Sequence, residues 1–349
     1  MAPISAMIGM SGGVDSSVAA WLIQQQGIRC IGATMLLHDS AAGTEDAALV
    51  AKKLNIPFHI FDHCGAFRAQ VMDDFVRCYE AGLTPNPCIR CNKTLKFGAF
   101  LEQAVAMGCR YVVTGHYARI GQDPVSGRFL LRKATDMPKD QTYFLYSLDQ
   151  RQLSHTLFPL GSLTKDVVRA IAEEQGFLNA RKKDSQDICF IPDGDYPAFL
   201  QRYTGKDYEN GDFLDQNGKI VGCHRGAVCY TIGQRKGLGL AMGAPVYVTG
   251  KDMACNTVTV GPNEALFHTT LLADDWNFIA FETLTAPLRC KAKARSRMEE
   301  QPATVYPEEN GFCRVVFDEP QRALTPGQAV VLYDGDLVLG GGTIREVLE

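Results

Sequence analysis

The sequence predicts an α/β domain, a parallel sheet with helices on both faces, followed by two small β domains. Three observations carry this. Short apolar runs alternate with helical patterns through the first part of the chain, the rhythm of βαβ units. Helical patterns stop near Gly211, and short strands separated by Gly, Pro, Asn and Asp follow to the end. The 349 residues exceed one core of roughly 100–200 residues, so two or three domains are expected.

The elements follow in order. "SAMIGM" is a strand that starts almost at once, and "SSVAAWLIQQQG" a helix ended by Gly27. "CIGATMLL" is a second strand, "TEDAALVAKKLN" a helix with a Thr44 cap, and "FHIFDH" a third strand after Pro57. "AFRAQVMDDFVRCYEAG" and "LKFGAFLEQAVAMG" are helices; "YVVTGH" is a strand. Crossovers are expected to be right-handed. From Ala118, "ARIGQDPVSGRFLLRKA" reads as a hairpin with a Gly/Pro turn, and "LTKDVVRAIAEEQG" as a further capped helix. "APVYVTG", "NTVTVG", "CRVVF", "QAVVLYDG" and "LVLGGGTI" supply the β pattern. Boundaries near Pro192–Ala198 and Leu271–Trp276 divide the chain into 1–198, 199–271 and 272–349. There is no internal repeat and no low-complexity segment.

Composition narrows the class. Hydrophobic residues make up 46%, the normal share for a globular chain. No apolar run reaches about 18 residues, so no membrane span is expected. The N-terminus lacks a basic stretch before a long apolar one, which argues against a signal peptide and for the cytoplasm. Of the twelve cysteines, Cys30, Cys64, Cys78, Cys109, Cys223, Cys229, Cys255, Cys290 and Cys313 stand alone and read as small buried hydrophobes. A net charge of −4 excludes a uniformly basic nucleic-acid surface. Local basic clusters remain at Arg181–Lys183, Gly233–Gly237 and Lys291–Arg297.

The first chemical motif is "GMSGGVDSS": Gly9, Met10, Ser11, Gly12, Gly13, Val14, Asp15, Ser16 and Ser17. It follows the first strand and opens the first helix. Small residues let the backbone curl around an anion, and the helix start presents free N–H groups. Asp15 fits such a loop if a cation stands between it and the phosphates, which implies Mg²⁺. The G-x-x-x-x-G-K-[ST] and G-x-G-x-x-G patterns are both absent here.

The loop resembles the SGGxDS signature of the PP-loop ATP pyrophosphatases. That resemblance implies ATP, Mg²⁺, adenylation of an acceptor and release of pyrophosphate. "TPNPCIRCNKTLKFG" (Thr84–Gly98), "GHYAR" (Gly115–Arg119), "KDQTYFL" (Lys139–Leu145), "DSQDICFI" (Asp184–Ile191), "YTIGQRKGLG" (Tyr230–Gly239) and "PGQAVVLYDGDLVLGGG" (Pro326–Gly342) narrow the choice. In that order they resemble the tRNA-specific 2-thiouridylase family of the MnmA type, across the whole chain. The resemblance implies a PP-loop catalytic domain, a small central β-rich domain and a C-terminal antiparallel β-barrel that contacts tRNA. It implies 2-thiolation of the wobble uridine of tRNAs for Lys, Glu and Gln. ATP adenylates the uracil O2, and a sulfur nucleophile then displaces AMP. A cysteine desulfurase or sulfur-relay protein is the implied donor.

The residue chemistry agrees. A pyrimidine carbonyl is a poor electrophile, and adenylation makes its oxygen a leaving group. Persulfide sulfur needs a cysteine to carry it. By family position Cys189 carries the persulfide and Cys91 attacks it. Asn86, Pro87 and Cys88 match the segment at the flipped target base, where two prolines suggest a stiff loop. Met35 and Gly115 match ATP contacts. His116 and Gln328 match positions that discriminate tRNA; Lys139, Asp140, Gln141, Arg295 and Ser296 match tRNA contacts. Two positions depart from the family pattern. Ser296 stands where many members carry Tyr, which removes a stacking surface. Cys88 stands where many members carry Asp.

Cys88, Cys91 and Cys189 thus form a trio, and two mechanisms stand open. In one, Cys189 holds a persulfide that Cys91 resolves. In the other, the trio holds an iron–sulfur ([4Fe-4S]) cluster with one open iron, and the cysteine count favours it. A zinc site lacks an evident fourth ligand. The alternatives in function are another PP-loop adenylating enzyme, acting on a small molecule or a different tRNA base, and a non-catalytic RNA-binding module. Lys93, Lys96, Arg181–Lys183, Arg235–Lys236 and Lys291–Arg297 are expected to line one tRNA groove.

Overall fold

The structure is a computed structural model that describes residues 5–38, 43–182 and 188–348. The chain opens with β1 (Ser5–Gly9), α1 (Val14–Gln25), β2 (Arg29–Leu36), α2 (Thr44–Lys53) and β3 (Phe58–Asp62). A long helical stretch then runs through α3 (Cys64–Phe67), a π-helical turn (Arg68–Met72) and α4 (Asp73–Glu80). A second runs through α5 (Pro87–Cys91), a π-helical segment (Asn92–Ala99) and α6 (Phe100–Ala106) into β4 (Tyr111–Val113). The hairpin of β5 (Arg119–Gln122) and β6 (Phe129–Arg132) follows, then α7 (Gln150–Ser154), β7 (Thr156–Leu157), α8 (Lys165–Glu174) and α9 (Tyr196–Thr204).

Strands β3-β2-β1-β4-β7 form one parallel sheet in that order. The pleat of β1 divides the core in two, because successive side chains point to opposite faces. Ala6 and Ile8 pack with Val18, Ile23, Val50 and Val168 from α1, α2 and α8. Met7 joins Phe97, Phe100 and Leu101 on the other side. Each large side chain so buried contributes about 1.5–3 kcal/mol. The sequence-predicted parallel sheet, with helices on both faces, is therefore what the chain forms.

Local details differ from the sequence pattern. Helix α1 begins at Val14, with Gly13 as its cap, so the serines lie inside its first turn. Gly43, in the left-handed conformation, caps α2, and Thr44 is already helical. The largest difference is at "TPNPCIRC". The stiff loop ends at Asn86, and Pro87 starts a helix. Proline suits that first position, because its fixed φ is helical and its missing N–H has no intrahelical partner there. Cys88 and Cys91 therefore sit on α5, and not on a loop.

The middle of the chain forms a four-stranded sheet, β10-β11-β8-β9, from β8 (Gly211–Leu214), β9 (Ile220–His224), β10 (Tyr247–Asp252) and β11 (Thr257–Gly261). The last part forms an antiparallel barrel from β12 (Phe267–Phe278), β13 (Leu288–Lys293), β14 (Gln301–Pro307), β15 (Cys313–Arg322), β16 (Ala329–Asp334) and β17 (Leu337–Leu348). Pairing of β12 with β17 closes it, which removes the sheet edges. Strand β6 also pairs with β17, so the β5–β6 hairpin extends the barrel sheet. Arg119 and Arg132 both reach Asp336 across that seam, at 2.8 and 2.7 Å. Strand β12 runs through the boundary expected at 271–272, and α9 through that at 198–199.

Candidate active site

The glycine loop lies between β1 and α1, so the helix start with its free N–H groups borders it. Gly12 adopts φ +72°, and a Cβ there would lie 2.1 Å from Gly43 O, so only glycine fits. The Ser16 and Ser17 hydroxyls donate to Gly13 O at 3.1 and 3.0 Å. Ser11 N–H donates to Ser16 Oγ at 3.2 Å. Met10 is buried, and its carbonyl accepts from Thr34 Oγ1 at 2.7 Å. Val14 is buried beneath the loop, and Gly9 closes β1. Met35 sits on β2, half-buried.

Asp15, in the first turn of α1, holds two partners that the sequence pattern did not reveal. Lys165 Nζ stands 2.7 Å from Oδ1 and 2.8 Å from Oδ2, and the Tyr117 hydroxyl donates to Oδ1 at 2.8 Å. Gly115 packs on the same turn, where a Cβ would meet Asp15 C and Ser16 N at 2.7 Å. Asn179, beyond α8, closes the loop from behind: its Nδ2 donates to Gly12 O and Ser17 Oγ, at 3.1 and 2.9 Å.

The trio of cysteines comes together. Cys88 and Cys189 are exposed and Cys91 is buried. The charges of Cys91, Cys88 and Cys189 bear on one another. Burial pushes the Cys91 thiol up to about 11, and the Lys96 ammonium opposes it. Burial also raises Cys88 and Cys189, again against Lys96. Lys96 lies in the π-helical segment that continues from Cys91. Three thiols suit three corners of an iron–sulfur cluster chemically. Among the described residues, however, no group of three or more His, Cys, Asp or Glu is arranged to hold a metal ion.

His116 stands at the anion loop and feels the same Lys96 charge as the trio. It follows Gly115, its ring packs between Phe97 and Phe158, and Nδ1 lies 2.8 Å from Thr114 Oγ1. Burial, helped by the Lys96 charge, pulls its pKa well below the ordinary 6.5. The imidazole therefore stays neutral.

Other sequence-singled residues have internal partners. Asp140 accepts from Ala134 N–H at 2.9 Å and Thr142 Oγ1 at 2.5 Å; burial raises its pKa against those bonds. Gln141 Oε1 accepts from Tyr117 N–H at 2.9 Å. Lys139 ends a short 3-10 turn beside them. Gln328 reaches the Thr84 carbonyl at 2.8 Å. Asn86 caps α5 without a side-chain bond, and Pro87 is buried. Arg295 donates to Ile232 O at 3.1 Å and Thr325 Oγ1 at 2.5 Å, which brings the basic barrel strand against the loop that carries Arg235 and Lys236. Ser296 is half-buried beside it. Lys93 stands 3.8 Å from Asp275, Arg181 3.3 Å from Glu173 and Lys182 2.8 Å from Asp46. Lys183 lies outside the described residues, as does Asp184–Asp187 of the "DSQDICFI" motif. Lys165, Tyr117 and Asn179 are the site residues that sequence reasoning missed.

A parallel α/β sheet with this glycine loop, followed by a β domain and a closed barrel, defines a multidomain PP-loop protein. The description "tRNA methyl transferase HUP domain" matches residues 5–193, more than half of the chain. "tRNA methyl transferase PRC-barrel domain" matches 197–262 and "Aminomethyltransferase beta-barrel domain" 268–344. The chain is 48% identical to the tRNA-specific 2-thiouridylase MnmA of Clostridioides difficile (strain 630), over 98% of each chain. It is 47% identical to that of Acetivibrio thermocellus, over 97% of this chain and 98% of the relative. It is 49% identical to that of Symbiobacterium thermophilum, over 98% and 92%. The chain belongs to the tRNA-specific 2-thiouridylase (MnmA) family.

Proposed function

We propose that this chain carries out ATP-dependent 2-thiolation of the wobble uridine in tRNAs for Lys, Glu and Gln. One observation supports it most: Cys91 and Cys189 lie near enough for their charges to interact, and the Lys96 charge acts on both and on His116, the residue after Gly115 at the anion loop. A site with both an adenylating loop and paired thiols suits an acceptor that must be activated and then attacked by sulfur.

The loop Gly9–Ser16 holds the ATP phosphates. Mg²⁺ bound with ATP would share the Asp15 carboxylate, whose two oxygens keep lone pairs beyond those used by Lys165 and Tyr117. The uracil O2 attacks the α-phosphorus and pyrophosphate leaves. The terminal sulfur of a Cys189 persulfide then attacks C2, and AMP leaves with its oxygen. The Cys91 thiolate next attacks Cys189 Sγ. That gives a Cys91–Cys189 disulfide and leaves sulfur on C2. A thiol reductant returns the disulfide to two thiols, and a cysteine desulfurase or relay protein reloads the persulfide.

Exposure of Cys189 supports its role as the acceptor of donor sulfur, and the Lys96 charge, which favours the Cys91 thiolate against burial, supports Cys91 as the resolving thiol. The third thiol, Cys88, is the observation that favours the cluster reading. A cluster, if bound, would be held by Cys88, Cys91 and Cys189 and would supply sulfide from its open iron. No helix among the described residues is long and apolar enough to cross a membrane. The test is the acceptor. Pyrophosphate release that depends on these tRNAs supports the reading; release that depends on a small molecule instead removes it.

A further inference from the structure

We propose that the barrel turn Pro326–Gln328 is a clamp that positions Cys91, with Gln328 acting through the main chain of Thr84 and Pro85. This rests on the thiolation reading, because it assigns a role to the placement of Cys91.

The contact crosses from the barrel to the segment that leads into α5. Gln328 Nε2 donates to Thr84 O at 2.8 Å and approaches Pro85 O at 3.4 Å. Thr84 N–H donates to Pro326 O at 2.9 Å. Gly327 lies between them at φ +91°, and a Cβ there would stand 2.8 Å from Thr84 N and 2.9 Å from Leu83 Cβ. The two segments are thus in contact at closest approach, with one side-chain amide facing two consecutive carbonyls.

The turn is fixed on its own side. Gly327 N–H donates to Ile344 O, and Ile344 N–H to Gln328 O, each at 2.8 Å. The held segment has little else to hold it. Pro85 and Pro87 carry no N–H, so local turn bonds are scarce and the carbonyls need an outside donor. Thr84 Oγ1 is buried with no partner, so this segment is placed from outside and not by its own polar groups. Pro87 is the first residue of α5, and Cys91 is its last. Pro87 opens the helical stretch that runs on through α6, so a shift at Pro85 acts on its first turn, the turn that carries Cys88 and leads to Cys91.

The same geometry revises the role that the family resemblance gives Gln328. The side-chain amide donates to Thr84 O at 2.8 Å and lies 3.4 Å from Pro85 O, so the group is engaged as a donor before any tRNA arrives. Its effect on the reaction comes through the cysteine, as a positioning residue.

The experiment uses the full chain with Gln328→Ala and Gln328→Glu. Glutamate keeps the shape and removes the donor, and it covers the case in which the alanine variant folds poorly. Amide hydrogen exchange over residues 83–91 is measured without ATP or tRNA, beside kcat, KM and Kd for tRNA. Exchange faster by about tenfold is expected in both variants. The value of kcat should fall at least about tenfold, since small misplacements of reacting groups are costly. KM and Kd for tRNA should stay within about twofold. Unchanged exchange, or a loss carried by tRNA affinity with kcat intact, overturns the proposal. If the wild type thiolates no tRNA, the functional reading fails, while the exchange result still decides the clamp.

Discussion

Lys165 places its ammonium 2.7 and 2.8 Å from the two oxygens of Asp15, a residue 150 positions earlier in the chain. The lysine is nearly buried, with 8% of its side chain exposed, and the aspartate is 30% exposed. Helix α8 thereby fixes the acidic residue of the anion loop. Lys165→Met leaves Asp15 beside the phosphate site without its cation. Stability should drop by about 2 kcal/mol, between the values for surface and buried pairs. ATP affinity should fall as well, as read by urea titration and calorimetry.

Gly115→Ala adds a methyl group 2.7 Å from the main chain of Asp15 and Ser16. Backbone cannot rotate away as a side chain can. The start of α1 must move, at a cost of about 1–3 kcal/mol. ATP binding should weaken more than tRNA binding, and separate titrations with the two ligands read the difference.

His116 gives a pH prediction. Burial holds its folded pKa well below 6.5, so the folded state binds fewer protons than the unfolded state as pH falls through that value. Its stabilising contribution is full above about pH 6.5 and is lost below it, by about 1.4 kcal/mol per pH unit for one proton. The His116 ring resonances should show no titration step near 6.5. A His116 midpoint near 6.5 contradicts the enclosure described above.

Cys88 separates the two sulfur mechanisms. On the persulfide route Cys88→Ala keeps activity within about tenfold, as for a residue outside the covalent steps. Cys91→Ser and Cys189→Ser each abolish thiolation. A cluster would make all three essential and would bring iron with the anaerobically purified protein. Metal analysis together with thiouridine formation in the three variants decides it.

Much of this was legible in the sequence, for local reasons. The loop at Gly9–Ser17 was readable because anion binding needs small residues between a strand and a helix, and all three fall in consecutive order. The α/β pattern was readable from periodicity. Pro85 and Pro87 misled the local reading: the pair suggests a loop throughout, yet the second proline sits where helices begin. Lys165 reads only as part of a capped helix, since nothing near it points to Asp15. The same holds for Gln328, whose partners lie 244 and 243 residues away. Lys96 reads as a groove cation, and its effect on thiols as far apart in sequence as Cys88 and Cys189 shows only in the fold.

The most direct test supplies the protein with ATP, Mg²⁺, a persulfide-loading system and an unmodified tRNA for Lys, Glu or Gln. Nucleoside mass spectrometry counts 2-thiouridine at the wobble position, and AMP is measured in the same sample. The account predicts one AMP for each thiouridine, with both absent in Asp15→Asn and thiouridine absent in Cys189→Ser. AMP formed without tRNA, or thiouridine that persists in Cys189→Ser, would contradict it.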